Sequence, residues 1–383
     1  MSICKKCIIP DTFRGVKFED GVCSFCRRKE SLGIYRQALG KQKLAELLVS
    51  IQNKSGYHCV VPFSGGKDSS YVLFYISRVL GLNPLAVHYD SGFCSAAAIS
   101  NIRGITDKLK VKLITVKANF FHREMIRYIL SNGNMTGGFV ACRNCENMLR
   151  SAAIVEAEKR KIPFIVWGSS DFEENPEDYL KKGYVRFRDS FGSRNTTARF
   201  YRLPRFSFFA RAHSIKSLAL FWFRAKLAFL TILDNMFSPM PRGVNRLNPS
   251  LCVSFGGRKP KVVYFFDYIA YEPSSFIDTI KKELGWQSPP GRESRMDCRL
   301  HCFVNYDFLL KHGITADGAH WGTLVREGLL SREEALSREE AARRALEGEC
   351  REVLKEFKIS VIIQALPPHH GEPRQDKQRL GNV

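Results

Sequence analysis

A strand that runs into two glycines and turns at once into a helix constrains this 383-residue chain more than any other feature. Tyr57-His-Cys-Val-Val-Pro-Phe63 is a short apolar run. The loop Ser64-Gly-Gly-Lys-Asp-Ser-Ser70 follows, and helical spacing (Tyr71, Leu73, Phe74, Ile76, Val79, Leu80) then carries Asp68 to Leu80 and stops at Gly81. The same rhythm repeats downstream. Strands are expected at 84–89, 112–116 and 163–167, the last again entering glycine, with helices at 96–109, 120–130 and 144–160. Such alternation predicts an α/β fold built on a doubly wound parallel sheet, whose ligands sit at the carboxyl ends of strands. A helix over 41–52 precedes this region. A last strand at 262–266 and a helical stretch to about Phe357 follow it, with Ser331 and Glu334 spaced as a capping box.

The loop has the chemistry of an anion site. Its glycines let backbone approach a ligand, and the first-turn N–H groups and helix dipole favour negative charge. Ser64, Ser69 and Ser70 add hydroxyls, Lys67 adds a cation, and Asp68 can hold Mg²⁺. It is not a Walker A loop, because Val61 and Asp68 stand where that motif needs glycine and Ser/Thr. Asp90 ends the second strand and Gly168-Ser-Ser-Asp171 follows the fourth.

Twelve cysteines in a chain whose N-terminus lacks an apolar signal region point to metal ligands or reactive thiols rather than disulfides. The expected compartment is the cytoplasm. Cys4-x2-Cys7 and Cys23-x2-Cys26 have the spacing of a tetrahedral four-thiolate zinc site in a segment too poor in apolar residues to fold without metal. Cys142-x2-Cys145 follows Gly137-Gly138 and is expected to open a helix, where thiol pKa values fall. Cys298 and Cys302 are candidate partners. An Fe–S cluster on Cys142, Cys145 and Cys298, a second zinc site, and an unmetallated pair lining the pocket all stay open. Cys59, Cys94, Cys252 and Cys350 read as ordinary thiols.

The net charge of +21 is concentrated: between Lys181 and Lys261, 17 Lys/Arg face only Asp189 and Asp234. This basic, aromatic-rich insert suits RNA, an anionic membrane surface or a phosphate-bearing substrate, or else is a solvated basic face. The apolar stretch 218–233 is cut by Arg224 and Lys226 and is too short to span a bilayer comfortably. The expected organisation is a zinc-ribbon-like module (1–30), an α/β domain carrying the Ser64–Ser70 loop (31–180), the insert (181–261), the rest of the α/β domain with helices (262–358), and a disordered tail (359–383).

Ser64–Ser70 resembles the PP-loop, Ser-Gly-Gly-x-Asp-Ser, of the ATP-pyrophosphatase superfamily. With Cys4-Lys-Lys-Cys-Ile-Ile-Pro-Asp-Thr12, Phe18-Glu-Asp-Gly-Val-Cys-Ser-Phe-Cys26 and Cys142-Arg-Asn-Cys145, the chain looks like the bacterial N-acetyl sugar amidotransferases of surface-polysaccharide biosynthesis. Tyr268-Ile-Ala-Tyr271, Glu283-Leu-Gly-Trp286, Glu293-Ser294 and Leu324-Val-Arg-Glu-Gly-Leu-Leu-Ser-Arg-Glu-Glu-Ala-Leu336 extend the resemblance over most of residues 1–347. It implies a sheet of the adenine nucleotide alpha hydrolase-like (PP-loop) type. ATP would adenylate an acetamido oxygen of a nucleotide- or lipid-linked N-acetyl sugar, releasing pyrophosphate, and ammonia from a separate glutaminase-type partner would expel AMP. The implied catalytic residues are Lys67, Asp68, Cys142 and Cys145. ATP would be held by Ser64, Gly65, Gly66, Asp68, Ser69, Ser70, Asp90 and Gly168. Zn²⁺ would sit on Cys4, Cys7, Cys23 and Cys26, and the enzyme would work in the cytoplasm or at the inner membrane face. The rival reading is a PP-loop sulfurtransferase, Fe–S dependent or not, thiolating tRNA or a small metabolite.

Overall fold

A computed structural model describes residues 2–27, 38–51, 56–118, 120–132, 137–170, Lys226, Phe229, Leu230, Leu233, 260–288 and 295–359. Most of the basic insert, Asp171, Glu293-Ser294 and nearly all of the tail lie outside these residues.

Four apolar strands and one partly exposed strand form a five-stranded parallel sheet. After a two-residue hairpin (β1 Phe18–Glu19, β2 Val22–Cys23) and helix α1 (Lys41–Val49), the chain runs as follows: β3 (Cys59–Pro62), α2 (Lys67–Phe74), β4 (Pro84–Asp90), α3 (Ala96–Leu109), β5 (Lys112–Lys117), α4 (Phe120–Asn132), α5 (Gly137–Lys159), β6 (Phe164–Trp167) and β7 (Lys261–Tyr264). Strand order is β5-β4-β3-β6-β7. The chain therefore builds outward from β3 on one side, then returns to build outward from β6 on the other. This reversal between β3 and β6 is the switch point at which such sheets bind ligands.

Both faces are covered, which explains the unbroken apolar strands. Side chains of a strand alternate between faces. Val61, Ala86, Phe164, Val166 and Val263 pack with α2, α3 and α6 (Pro273–Leu284). Val60, Leu85, Val87, Ile165 and Val262 pack with Met148 to Ala157 of α5. β5 is the exception: it is an edge strand with exposed Lys112 and Lys117 at its ends, a pattern that discourages pairing with another chain.

Three further helices, α7 (His301–His312), α8 (Ala316–Arg326) and α9 (Arg332–Phe357), complete the C-terminal part. α7 packs on α5 and α9, and Phe303, Leu309, Leu346 and Val353 share a buried cluster with Ile126 and Ile129 of α4. Ser331 caps α9 by accepting from the Glu334 N–H at 3.1 Å, while the Glu334 carboxylate pairs with Arg338 instead of returning to the cap.

Two expectations change in detail. The helix after β3 is α-helical only to Phe74 and continues as a π-turn over Tyr75–Val79, with the Leu80 N–H reaching back to the Tyr75 carbonyl. α5 begins at Gly137, not Asn144. Gly138 enters the helix because a Cβ there would lie 2.4 Å from the backbone of Phe303. The glycine that looks like a breaker is what lets α5 and α7 touch. Among the described residues, no helix is long and apolar enough to cross a membrane.

Candidate functional site

The loop at the end of β3 stands at the switch point. Gly65 has φ +80°, and a Cβ there would meet the Ala98 carbonyl at 2.6 Å and Ile102 at 2.9 Å, so both backbone conformation and space require glycine. Its carbonyl accepts from the Trp286 indole N–H at 3.0 Å and from the Asn101 amide at 3.3 Å. Asn101 is itself held by Gln287, whose N–H donates to Oδ1 and whose carbonyl accepts from Nδ2. A remote segment thus locks the loop. Within it, Ser69 Oγ accepts from the Ser64 N–H, lies 3.3 Å from Ser64 Oγ and donates to the Gly66 carbonyl. Gly66 serves as N-cap of α2, with no side-chain cap bond. The first turn of α2 carries the positive end of the helix dipole at the switch point.

Lys67 does not reach outward from this loop. It is buried, pairs with Asp68 at 2.5 Å and donates to the Tyr271 hydroxyl at 3.1 Å, with its ammonium 5.6 Å from the Tyr271 ring centre. Asp68 is positioned by that pair. The Ser70 and Ser170 hydroxyls are buried without a hydrogen-bond partner among the described residues. Buried hydroxyls are seldom left so, and these two are free to serve a ligand. Gly168 lies against the first turn of α2: a Cβ there would come 3.6 Å from the Asp68 carbonyl. The β3 and β6 termini therefore converge.

A second cluster borders the loop. Segments 93–95 and 297–299 pair antiparallel, the Ser95 N–H donating to the Asp297 carbonyl and the Arg299 N–H to the Phe93 carbonyl. This sets Cys94 opposite Cys298, and the Asp297 carboxylate comes 3.2 Å from the place a Gly66 Cβ would occupy. Cys145 Sγ lies 3.9 Å from His122 Nε2. Burial pushes the Cys298 thiol well up, and the neighbouring Cys145, Cys142 and Asp297 push it further. Cys145 is likewise raised, by burial first and then by Cys142 and Cys94. Cys94 is pushed up to about 11 by burial and by Asp90 and Asp297.

The expected fall in thiol pKa at a helix start does not occur at Cys145. Cys142 and Cys145 sit in the second and third turns of α5, away from its N–H groups, and Cys145 is desolvated. Cys302 does not join them. It donates to the Arg299 carbonyl and packs beside Cys350 in the core between α7 and α9. Cys94, which reads as an ordinary thiol, belongs to the cluster. The spacing His88-x-Asp90-x3-Cys94 at a strand end is the only local signal for it, and it does not reveal the turn that brings these residues together.

The N-terminal cysteines converge as their spacing predicts. Cys4, Cys7, Cys23 and Cys26 are buried and could hold a metal ion. Sγ atoms of Cys4 and Cys26 are 3.9 Å apart, those of Cys7 and Cys23 3.6 Å. Four thiolates about 2.3 Å from a tetrahedral zinc lie about 3.8 Å apart, so the cage has the right size. The N–H groups of Lys6 and Cys23 point at Cys4 Sγ, and the Arg326 guanidinium lies 3.6 Å from Cys7 Sγ, which offsets thiolate charge. The module is clamped to the helices: Arg332 donates to the carbonyls of Cys4 and Cys7, and Phe13 stacks on His312.

No family model matches the chain. An uncharacterized protein of the archaeon Methanocaldococcus jannaschii is 28% identical over 110 residues, which are 28% of this chain and 37% of that protein. The match thus spans little more than a third of that relative's length.

Proposed function

We infer that the chain is an ATP-dependent, AMP-forming amidotransferase that converts the acetamido group of an N-acetyl sugar into an acetamidino group. The observation that carries this reading is the position of Ser64–Ser70. A glycine-rich helix start lies at the switch point of a parallel sheet, its Gly65 carbonyl held by Trp286 and Asn101. The backbone N–H groups of α2, with Ser64, Ser69 and Ser70, grip the β,γ-pyrophosphate, and Gly168 leaves room beside them. Mg²⁺ on Asp68 would neutralise charge on the departing pyrophosphate. Lys67, paired with Asp68, orients that carboxylate instead of touching phosphate. An amide oxygen is a poor leaving group until it carries a phosphoryl group, so attack on the α-phosphorus must precede entry of ammonia. Ammonia comes from a glutaminase-type partner. The four-thiolate site holds structural Zn²⁺, and the insert contacts an anionic surface or the phosphates of a carrier.

ATP turnover read as AMP and pyrophosphate across nucleotide-linked N-acetyl sugars, with ammonia and sulfide compared, tests this reading. Sugar-dependent AMP formation completed by ammonia supports it; ADP as product, or turnover indifferent to every acetamido sugar, contradicts it. One observation favours a second reading. Cys142, Cys145 and Cys298 lie close enough to perturb one another beside the loop, as an Fe–S-dependent sulfurtransferase would need. Iron and sulfide bound by those three thiols after anaerobic purification would select it.

A further inference from the structure

We propose that His88, Asp90 and Cys94 form a second transition-metal site with an open coordination position, separate from the four-cysteine cage. His88 and Asp90 are two residues apart at the end of β4 and so share one face of the sheet. The chain then turns through Gly92, at φ +83°, and returns Cys94 to that face. The imidazole nitrogen, carboxylate oxygen and thiol sulfur of these three residues all lie within 4.8 Å of one another. No metal-binding role follows from such proximity alone, and the arrangement around His88 supplies the second observation.

His88 is only 6% exposed. Its Nδ1 lies 2.9 Å from the Phe63 carbonyl, which can only accept, so Nδ1 carries the proton. Nε2 is then a lone-pair donor aimed at Cys94 Sγ, 4.0 Å away. A ring fixed by a backbone carbonyl through one nitrogen, with the other presented to a thiol and a carboxylate, is the outer-sphere arrangement of a metal-bound histidine. Asp90 Oδ1 is occupied by the Gly92 N–H at 2.9 Å, and Oδ2 accepts no hydrogen bond from the described residues. A thiolate with an imidazole disfavours Mg²⁺ and Ca²⁺ and suits Zn²⁺ or a metal like it.

Three protein ligands leave a fourth position for a substrate oxygen or nitrogen, the pattern of catalytic rather than structural zinc. Asp90 and Cys94 are half-buried, and Phe63, whose carbonyl fixes His88, is followed directly by Ser64 of the loop. The open position therefore faces the same end of the sheet as the phosphate loop. This inference does not depend on the ATP chemistry, since metal content is read without turnover.

The test uses the full chain, stripped of metal and titrated with Zn²⁺, then with Co²⁺ for its visible spectrum. The wild type binds two equivalents. Cys94→Ser and His88→Gln each bind one at full strength and the second about 100-fold more weakly or worse, with unchanged far-ultraviolet circular dichroism. Cys23→Ser loses the other equivalent, and its remaining Co²⁺ shows the charge-transfer band of a single thiolate. A wild type with one equivalent, lost only in Cys23→Ser, would overturn the proposal. So would two full-strength equivalents in His88→Gln and Cys94→Ser. A second equivalent that disappears with Cys145→Ser but persists in His88→Gln would move the metal to the thiol cluster and equally refute it.

Discussion

Single residues set the geometry of the loop. Gly65→Ala places a Cβ against the Ala98 carbonyl in a backbone conformation that alanine resists; overpacking and left-handed strain together cost about 2–4 kcal/mol. A fall in melting temperature with loss of pyrophosphate release is expected, and an unaltered variant would show that the loop is held some other way. Trp286→Phe removes the indole N–H donated to Gly65 and part of a buried ring. Its stability should drop by about 2–3 kcal/mol, and on the proposed reading KM for ATP rises more than kcat falls. Asp68→Ala should abolish pyrophosphate release with the fold intact. At this scale the sequence was partly transparent. Two glycines after an apolar run, and four cysteines in two close pairs, announce themselves because few other arrangements use them. The burial of Lys67 beside Tyr271 and Phe276 was not legible, since it needs residues two hundred positions away. His88 and Cys94 were each readable as ordinary strand and loop residues, and only the turn at Gly92 brings them together.

Elements were located by periodicity and displaced where tertiary contact overrides local preference. α3 begins at Ala96 and ends at Leu109, as the spacing predicts, because Ser95 caps it and Lys110 closes it in the left-handed region. α5 starts a full two turns early because α7 requires Gly138 inside the interface. The joint between α7 and α8 carries a pH prediction. Asp317 accepts from His301 Nε2 and from Asn305, each at 2.9 Å. Burial alone would raise this carboxyl, but His301, these hydrogen bonds and Arg295 outweigh it and hold it well below the usual carboxylate range. A lowered folded-state value means that the stabilisation is present above about pH 4, the unfolded value, and is lost as pH falls further. Asp317→Asn should therefore cost about 2–3 kcal/mol at pH 7 and flatten the acid limb of the stability profile. Urea midpoints from pH 2 to pH 7 would check it: a variant whose midpoints run parallel to wild type shows that Asp317 does not sense pH.

For the whole molecule, the N-terminal module is part of the main core and not an appendage. Phe13, Phe25 and the four cysteines belong to the same buried cluster as Val61 of β3, Phe276 of α6 and Trp321 of α8. Composition and cysteine spacing indicated a metal-stapled segment, yet its docking on α8 and α9 through Arg326 and Arg332 joins residues more than three hundred apart, which no local pattern encodes. Metal removal should consequently destabilise the protein as a unit. With a strong chelator, or in Cys23→Ser, one cooperative transition shifted to lower temperature is expected; a module that melts alone while the sheet keeps its wild-type transition would contradict that coupling. The sheet order places Ser64–Ser70, Gly168 and the His88–Asp90–Cys94 face at one end, where the proposed reading needs nucleotide and sugar amide to meet. The central claim is that the amide oxygen of the sugar is adenylated. An acetamido sugar labelled with oxygen-18 in its carbonyl, turned over with ATP and ammonia, measures this directly. The account predicts one labelled oxygen in the phosphate of AMP and none in pyrophosphate; AMP without label, or release of ADP and phosphate, would contradict it.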